Sequence, residues 1–475
     1  MKRCAGRMGA VGRREFLARA GMGFGSVALA TLESERAAAA QTNPLAPRAQ
    51  HVPARAKRII CLFMQGGPSQ LETFDPKPEL TRLNGQPLPA SYRSADLNLQ
   101  FMQASEGKLM GGAFPFRKCG RSGLEISELY PELGAHADDL AVIRSCYHES
   151  FIHGPALTLM QTGSLLLGHP SVGAWVTYGL GCESENLPAY LVMTDSVIRN
   201  GGSSAYGSGF LPAVYQGTLL RSEGAPIQNL SVPAGLGREE QRRLIDRIQA
   251  LNRSHLAGRE DDSRLSARIA NYELAFRMQT AAPELMDLSE EAAATRKRYG
   301  VGEGPTDRFS KMCLLARRMV ERGVRFVQLY ASDWDGHGDC PGNHKGNASR
   351  TDRPIAGLLA DLKDRGLLDS TLVLWVGEFG RTPVMQGDRG RDHSPYGFSC
   401  WLAGGGIRGG KVIGATDELG FRAVTDRVHV HDLHATLLSL LGLDHKRLTY
   451  PFEGRIRRLT DVGEQTDWSP ILTRG

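Results

Sequence analysis

The chain has 475 residues, of which 41% are hydrophobic and 23% charged, and its formal net charge is +6. Residues 1–40 contain seven Lys or Arg and three Asp or Glu, so +4 of this charge lies there and the rest of the chain is close to neutral. Without a block of like charge in that remainder, we exclude a nucleic-acid-binding protein. The eight cysteines are widely spaced, which is typical neither of a disulfide framework nor of a zinc knuckle.

The N-terminus has the order of an export signal. Lys2, Arg3 and Arg7 precede the pair Arg13 and Arg14, then an apolar run over 20–32, then four alanines ending at 40. This order predicts a twin-arginine signal peptide over 1–40, recognised by the twin-arginine translocase. The apolar run is shorter than the roughly 20 residues of a membrane span, so we expect no stable membrane anchor after cleavage. The mature protein is then predicted to be periplasmic or extracellular.

The body alternates buried strands with helical segments. A Pro-, Ala- and Arg-rich linker over 41–56 leads to continuous apolar runs at 58–64, 140–143, 189–193, 324–330 and 371–376. Helical patterns between them cover 171–179, 239–288, 306–323 and 353–365. Strands separated by helix-length segments predict a three-layer α/β/α sandwich with a mostly parallel central sheet over 57–475.

Residues from about 198 to 300 differ from the rest of the body. A Gly- and Ser-rich start is followed by a long, charged helical pattern. We interpret this region as a helical insertion or lid on the main sheet. A solvated helix pair without a direct role in function fits the same pattern.

Potential metal ligands follow the predicted strands. Asp335 and His337, with Asp333 and Asp339 beside them, come after the run at 324–330, and Glu378 follows the run at 371–376. A further loop contains Asp392 and His393. Ligands bind beyond the carboxyl ends of parallel strands, and divalent metals use carboxylate and imidazole donors. The alternative for each pair is a turn with a hydrogen-bonded histidine. We interpret His429, His431 and His434 as structural, at a strand end and an Asp-capped helix.

Six motifs in chain order carry a family resemblance. They lie at residues 63–69 with 73–78, 170–175 with 178–181, 377–383, 390–393, 403–406 and 432–436. Together they resemble the family known as domain of unknown function 1501 (DUF1501). That family is similar to the alkaline phosphatase and sulfatase superfamily, which implies an α/β/α fold and a metal-dependent hydrolase of phosphate or sulfate esters.

The superfamily pattern is altered in this chain. Residues 153–163 keep the Pro and Thr-Gly spacing of the sulfatase nucleophile motif, but His153 occupies the place of the cysteine and Leu157 that of the arginine. Gly66 and Gly67 replace an acidic pair. The later Asp-His or Asp-Asn pair becomes Glu378 and Phe379, and Glu72 or Asp75 could supply a displaced carboxylate in place of the lost ligands.

The resemblance leads to a specific set of predicted site residues. A divalent metal, Zn, Ca or Mg, is assigned to Asp335, His337, Glu378, Asp392 and His393, and the alternative is a protein without a metal. His153 is predicted as the covalent nucleophile or general acid/base at a helix N-terminus, with Arg381 as a second catalytic residue. The substrate would be a small-molecule or polysaccharide ester. Two alternatives remain open, a non-catalytic protein that binds glycan in the cell envelope and an assembly scaffold.

Overall fold

A computed structural model describes residues 43–92, 107–198, 201–221, 227, 230, 235–256 and 263–474. The chain divides into two compact units, residues 1–46 and 47–475, and the architecture below belongs to the second. The predicted signal peptide over 1–40 lies outside the described residues. Within the part of the chain that is described, no helix is both long and apolar enough to cross a bilayer.

The strands belong to one large sheet and several two-stranded pairs. In chain order they are β1 Arg58–Met64, β2 Phe116–Cys119, β3 Leu124–Ser127, β4 Leu140–Tyr147, β5 Tyr190–Thr194, β6 Thr218–Leu220, β7 Phe326–Ala331, β8 Thr371–Val376, β9 Gly380–Gln386, β10 Gly390–Ser394, β11 Phe398–Gly404, β12 Lys411–Ile413, β13 Ala415–Thr416, β14 Ala423–Thr425, β15 Val428–His429, β16 Tyr450–Phe452 and β17 Arg455–Arg457.

The helices are α1 Gln70–Thr73, α2 Pro78–Arg82, α3 Pro131–Gly134, α4 His153–Thr162, α5 Val172–Leu180, α6 Arg238–Leu256, α7 Ser263–Met286, α8 Ala293–Tyr299, α9 Asp307–Glu321, α10 Cys340–Asp364, α11 Val430–Leu440 and α12 Ser469–Thr473. Short 3-10 helices cover Ala90–Tyr92, Ala137–Asp139, Gly202–Tyr206, Ala213–Tyr215, Gly304–Thr306 and Leu368–Ser370.

The central sheet has the order β12-β4-β11-β8-β1-β7-β5-β6, with β15 also paired to β4. The pairs β8-β1, β1-β7, β7-β5, β5-β6, β12-β4 and β15-β4 are parallel, whereas β11 runs antiparallel to both β4 and β8. The predicted mostly parallel α/β sheet is confirmed. The carboxyl ends of β1, β4, β7 and β8 therefore lie along one edge, where the connecting loops meet.

Both faces of the sheet are covered by helices. Ile60, Leu62 and Met64 of β1 belong to a core cluster that includes the apolar side chains of α9 and α10. On the opposite face, Tyr190 of β5 contacts Gly173 of α5 and donates a hydrogen bond to Gln328. A strand buried on both faces needs apolar side chains at consecutive positions, which is why β1 reads as one continuous apolar run.

Two helical segments differ from their predicted extent. Helix α10 begins at Cys340, thirteen residues before the predicted start, because the side chain of Asp339 accepts a hydrogen bond from the Gly342 amide and caps the helix. The charged stretch predicted over 239–288 contains two helices, α6 and α7, joined by the Arg242–Glu273 ion pair. Leu285 and Tyr299 belong to the main core, so the C-terminal part of the predicted insertion packs against the body.

A buried ion pair secures the loop that follows β1. Glu72 and Arg391 have fully buried side chains, and Arg391 donates to Glu72 Oε1 through Nε at 3.1 Å and Nη2 at 2.9 Å. The carbonyl oxygens of Met110 and Thr382 accept further hydrogen bonds from Arg391. Burial of a charge requires such partners, because a buried guanidinium without a carboxylate is strongly destabilising.

We therefore expect Glu72→Gln to lower the free energy of unfolding by about 3 kcal/mol or more, since Arg391 would keep its buried charge without a counter-ion. Urea denaturation measures the change. The matched control is Glu79→Gln, which breaks the exposed pair with Arg82 and should leave stability nearly unchanged. Equal effects of the two substitutions would contradict this role for the buried pair.

Candidate metal centre

Four side chains from separate parts of the chain meet at the carboxyl edge of the sheet. Asp335 and His337 lie in the loop between β7 and α10, His393 lies in β10, and His153 is the first residue of α4. One ligand atom from each lies within 4.8 Å of the corresponding atoms of the other three, as in a site that holds a metal ion. Three of these residues are among the predicted site residues for a metal, and His153 was predicted to be catalytic instead.

The Asp335 carboxylate lies at the centre of this group. Its Oδ1 is 2.9 Å from His337 Nε2 and 3.4 Å from His393 Nε2, and its Oδ2 is 3.2 Å from His153 Nε2. The Nε2 atoms of His337 and His393 lie 2.8 Å apart. Three imidazole nitrogens and one carboxylate are thus directed at the same small volume.

The outer nitrogen of each histidine is held by an oxygen atom. His337 Nδ1 lies 2.5 Å from Gln386 Oε1, and His393 Nδ1 lies 2.8 Å from the carbonyl oxygen of Phe151. These oxygens can only accept, so each Nδ1 donates its proton and each Nε2 of a neutral ring carries a lone pair. Two lone pairs that face each other at 2.8 Å repel unless a proton or a cation lies between them. This arrangement fits a metal ion, because metal-binding histidines commonly donate their second N–H to an oxygen.

His153 is oriented by a buried carboxylate. Its Nδ1 lies 2.7 Å from Oε1 of Glu378, a side chain with no exposed surface, and the amide of Gly66 donates to both oxygens of the same carboxylate at 2.8 and 3.1 Å. His153 Nε2 is buried and makes no hydrogen bond. The carboxylate oxygens of Glu378, a predicted metal ligand, are therefore engaged by His153 Nδ1 and the Gly66 amide. The His153 atom that remains available to a cation is Nε2.

Arg381 holds the Asp335 carboxylate in place from its buried side. Its side chain is completely buried, and Nη2 donates to Asp335 Oδ1 at 2.6 Å. The remaining guanidinium nitrogens donate to the carbonyl oxygens of Gly67 and Arg391. Because protein oxygens engage all three nitrogens, Arg381 positions the carboxylate. The catalytic role predicted for Arg381 stays a prediction.

Charges in the group shift the protonation of its members. Burial by itself would raise the pKa of Asp335, but the neighbouring His153 and His337 and the charge of Arg381 keep it well below its usual range. Burial lowers the pKa of His153, yet the two carboxylates outweigh it and raise this pKa to about 9. Burial and the nearby cations lower the pKa of His393 to about 4, whereas Asp335 raises that of His337. Without a metal, His153 is therefore protonated at neutral pH.

The turn after β1 allows this close packing. Gly66 has φ +117°, and a Cβ atom there would lie 2.6 Å from the Asp335 amide nitrogen. Gly67 has φ +79°, and a Cβ atom would lie 2.5 Å from the Phe379 ring. Gly66 and Gly67 stand where the sulfatase pattern has two acidic residues. Because they have no side chain, the loop after β1 can pack against the backbone of Asp335.

The other carboxylates named from the sequence lie elsewhere. Asp392 accepts a hydrogen bond from the His393 amide, and burial raises its pKa, but it is not one of the four grouped residues. Its predicted metal contact remains untested. Glu72 pairs with Arg391, and Asp75 pairs with Lys77 and Thr416, so the expected displacement of either carboxylate into the site is wrong. Their positive partners hold them in place.

Several supporting residues were missed in the sequence. Gln386 and the Phe151 carbonyl fix the orientation of two histidines, and no motif marks them because both contacts cross between separate segments. His148 was also missed. It is buried, and its Nδ1 accepts a hydrogen bond from the Ser150 amide at 3.0 Å, so its Nε2 donates to the carbonyl of Glu378. Burial lowers the pKa of His148 to about 4, which keeps the ring neutral.

The histidines near the C-terminus have structural contacts. His429 caps α11 by accepting a hydrogen bond from the His431 amide, and its Nε2 lies 2.8 Å from Glu149 Oε1. His434 is buried, and its Nε2 donates to the carbonyl oxygen of Met160 in α4. These contacts agree with the structural interpretation of this segment and attach α11 to the helix that begins at His153.

A family model described as protein of unknown function (DUF1501) matches residues 56–467. No curated protein matches the sequence. Similar solved structures include the lipoteichoic acid synthase LtaP from Listeria monocytogenes, at 9% identity and TM-score 0.37 over 85% of this chain and 77% of that chain. The PsFucS1 sulfatase from Pseudoalteromonas sp. has 12% identity and TM-score 0.39 over 93% and 76%. A protein in the alkaline phosphatase superfamily from Vibrio parahaemolyticus has 10% identity and TM-score 0.35 over 85% and 71%. At such values, only this chain's own residues bear on its chemistry.

Gly66→Ala tests the close approach of the β1 loop. We expect it to cost about 3 kcal/mol or more of stability and to weaken metal binding, because the new Cβ would displace the backbone at Asp335. The control is Gly85→Ala, where φ is +80° but no atom lies within 4 Å, so only about 1–2 kcal/mol of backbone strain applies. Denaturation and metal titration measure both. Similar losses at the two positions would argue against the proposed crowding.

Metal binding should release protons. Because His153 has a pKa of about 9 without metal, it is protonated at pH 7.5 and must lose that proton to bind a cation. We expect release of at least about one proton per metal, and an affinity that falls as the pH is lowered. Calorimetry in buffers of different ionisation enthalpy measures the release. His153→Gln should reduce it, and proton-independent binding by the unmodified protein would contradict the assignment.

Proposed function

The chain belongs to the DUF1501 family, and we propose that it is a metal-dependent hydrolase of phosphate or sulfate esters. The observation that carries this proposal is the convergence of His153, Asp335, His337 and His393 at the carboxyl edge of the sheet. Their inner nitrogens face one another and the Asp335 carboxylate, so a bound cation would take the place of the protons between them.

The donor set favours a transition metal such as zinc. Three imidazoles and one carboxylate suit zinc and other first-row ions, whereas calcium and magnesium prefer ligand sets made of oxygen atoms. Of the metals expected from the sequence, zinc therefore fits these residues best. Arg381 and Glu378 would orient the ligands from outside the group, Arg381 through Asp335 and Glu378 through His153.

The proposed site is open to solvent on one side. The side chains of Asp335 and His337 are 36% and 38% exposed, while those of His153 and His393 are 18% and 15% exposed. A substrate can therefore reach the centre. A metal ion bound there would polarise an ester oxygen and make water a better nucleophile at neutral pH.

The N-terminus of helix α4 offers a further binding position for an anionic ester. Helix α4 begins at His153 and extends for ten residues, and no side chain caps its N-terminus. Unpaired amides and the helix dipole favour a negative charge at such a position. We propose that the phosphoryl or sulfuryl group binds there, beside His153. With its Nδ1 held by Glu378, His153 remains a candidate for proton transfer as well as for metal binding.

One observation favours a second candidate function. Four protein donors fill a tetrahedral coordination shell, and filled zinc sites are commonly structural, whereas catalytic sites keep a position open. On this alternative the protein binds a cell-envelope glycan or partner without turnover, and the metal holds the loops together. Metal content alone does not distinguish the two functions, but turnover does.

The proposal also includes export of the protein from the cell interior. We propose that the twin-arginine translocase carries the folded protein to the periplasm or cell exterior, where a small-molecule or polysaccharide ester would be its substrate. Residues 1–40, on which this rests, have the order of charged, apolar and small residues expected of such a signal.

The test combines metal analysis with activity. We expect the purified mature protein to contain about one zinc per chain and to hydrolyse aryl phosphate or aryl sulfate esters. His337→Ala and His393→Ala should lower metal affinity by at least about 100-fold, since each removes a direct ligand. Activity should fall with metal content. His445→Ala is the control, because this histidine is hydrogen-bonded to Thr460 and does not belong to the group.

Three outcomes separate the candidates. Metal with turnover that is lost in both ligand variants supports the hydrolase. Metal without turnover of either ester class supports the non-catalytic alternative. A protein that binds no metal, or one whose activity survives both substitutions, would rule out the proposed centre.

A further inference from the structure

Two cysteines meet in neighbouring strands beneath the site. Cys146 lies near the end of β4 and Cys400 lies in β11, and these strands pair antiparallel. Phe398 lies opposite Cys146, whereas Cys400 lies opposite Ile143, so the register shifts between the two pairs. The shift is a β-bulge, which re-aims side chains locally. Here the sulfur atoms lie 3.3 Å apart.

This pair differs from the other cysteines that the structure describes. Both side chains are buried, with exposures of 2% and 0%. Neither cysteine belongs to the residue group able to bind a metal, so metal coordination does not explain the contact. A separation of 3.3 Å fits a hydrogen bond between two thiols, and it exceeds the roughly 2.05 Å of a disulfide bond by little more than 1 Å.

We propose that Cys146 and Cys400 form a disulfide bond in the exported protein. Closure to the roughly 2.05 Å of an S–S bond needs a movement of little more than 1 Å, which two cysteines on adjacent strands can supply. In the reaction, the two thiols lose two protons and two electrons to the disulfide of a dithiol oxidase, which is released as a dithiol. Because both sulfurs are buried and the protein is proposed to be exported in its folded state, this exchange takes place after export, in a transiently opened molecule.

The bond would join two segments that support the site. It closes a sequence separation of 254 residues, so it restricts the unfolded chain strongly. Cys146 also lies two residues before His148, whose ring donates a hydrogen bond to the carbonyl oxygen of Glu378. The inference does not depend on the hydrolase activity, and it holds equally for a protein without turnover.

Thiol counting tests the proposal on the unmodified protein. The reduced, unfolded mature chain is refolded in a glutathione redox buffer, and the exported protein is isolated without reductant. Both are denatured in an excess of alkylating reagent and analysed by mass spectrometry. The structure describes seven free cysteines. We expect five to be alkylated before reduction and seven afterwards, with one linked peptide pair that contains Cys146 and Cys400.

Variants show whether the bond stabilises the fold. Reductant should lower the Tm of the unmodified protein by about 5 °C and leave that of Cys146→Ala unchanged. Cys313→Ala is the matched control, because Cys313 is also buried but no sulfur contact is seen there, and it should keep the response to reductant. Seven alkylated cysteines before reduction in both preparations, or a disulfide between other cysteines, would overturn the proposal. The mass measurement does not need any variant to fold.

Discussion

The Asp335 carboxylate is the contact on which the site depends. Three histidines approach its two oxygens, and Arg381 donates to it from the buried side. Burial and the neighbouring positive charges lower the pKa of His393, whereas Asp335 and Glu378 together outweigh burial and raise that of His153. The geometry of the loop after β7 therefore decides both the charge state of the centre and its fitness for a metal.

The surrounding structure is arranged to hold that carboxylate. Gly66 lets the β1 loop pass close to the Asp335 backbone, and its amide donates to Glu378. Glu378 in turn orients His153, while His148 donates to the Glu378 carbonyl. Each of these groups is buried and has a partner, so a change at one of them is transmitted to the ligands. Such outer contacts commonly tune metal sites as much as the ligands do.

The departures from the sulfatase pattern have a common consequence. Gly66, Gly67 and Phe379 offer no donor atom at positions where the sulfatase pattern that the sequence resembles has metal ligands. The structure brings His153 into the group of possible ligands, and Glu378 orients this histidine. The group therefore consists mainly of imidazoles, a donor type that suits zinc and other first-row ions.

The sequence by itself determined the order of strands and helices and the edge at which polar residues gather, because apolar periodicity is local and parallel strands share a carboxyl edge. It also predicted Asp335, His337 and His393 as members of one metal site, and the structure places these three side chains together. Only the tertiary structure decided that His153 joins them, that Glu378 supports His153, and that Glu72 pairs with Arg391. These contacts join residues more than 180 positions apart, whose pairing depends on loop packing and charge partners that no local pattern records.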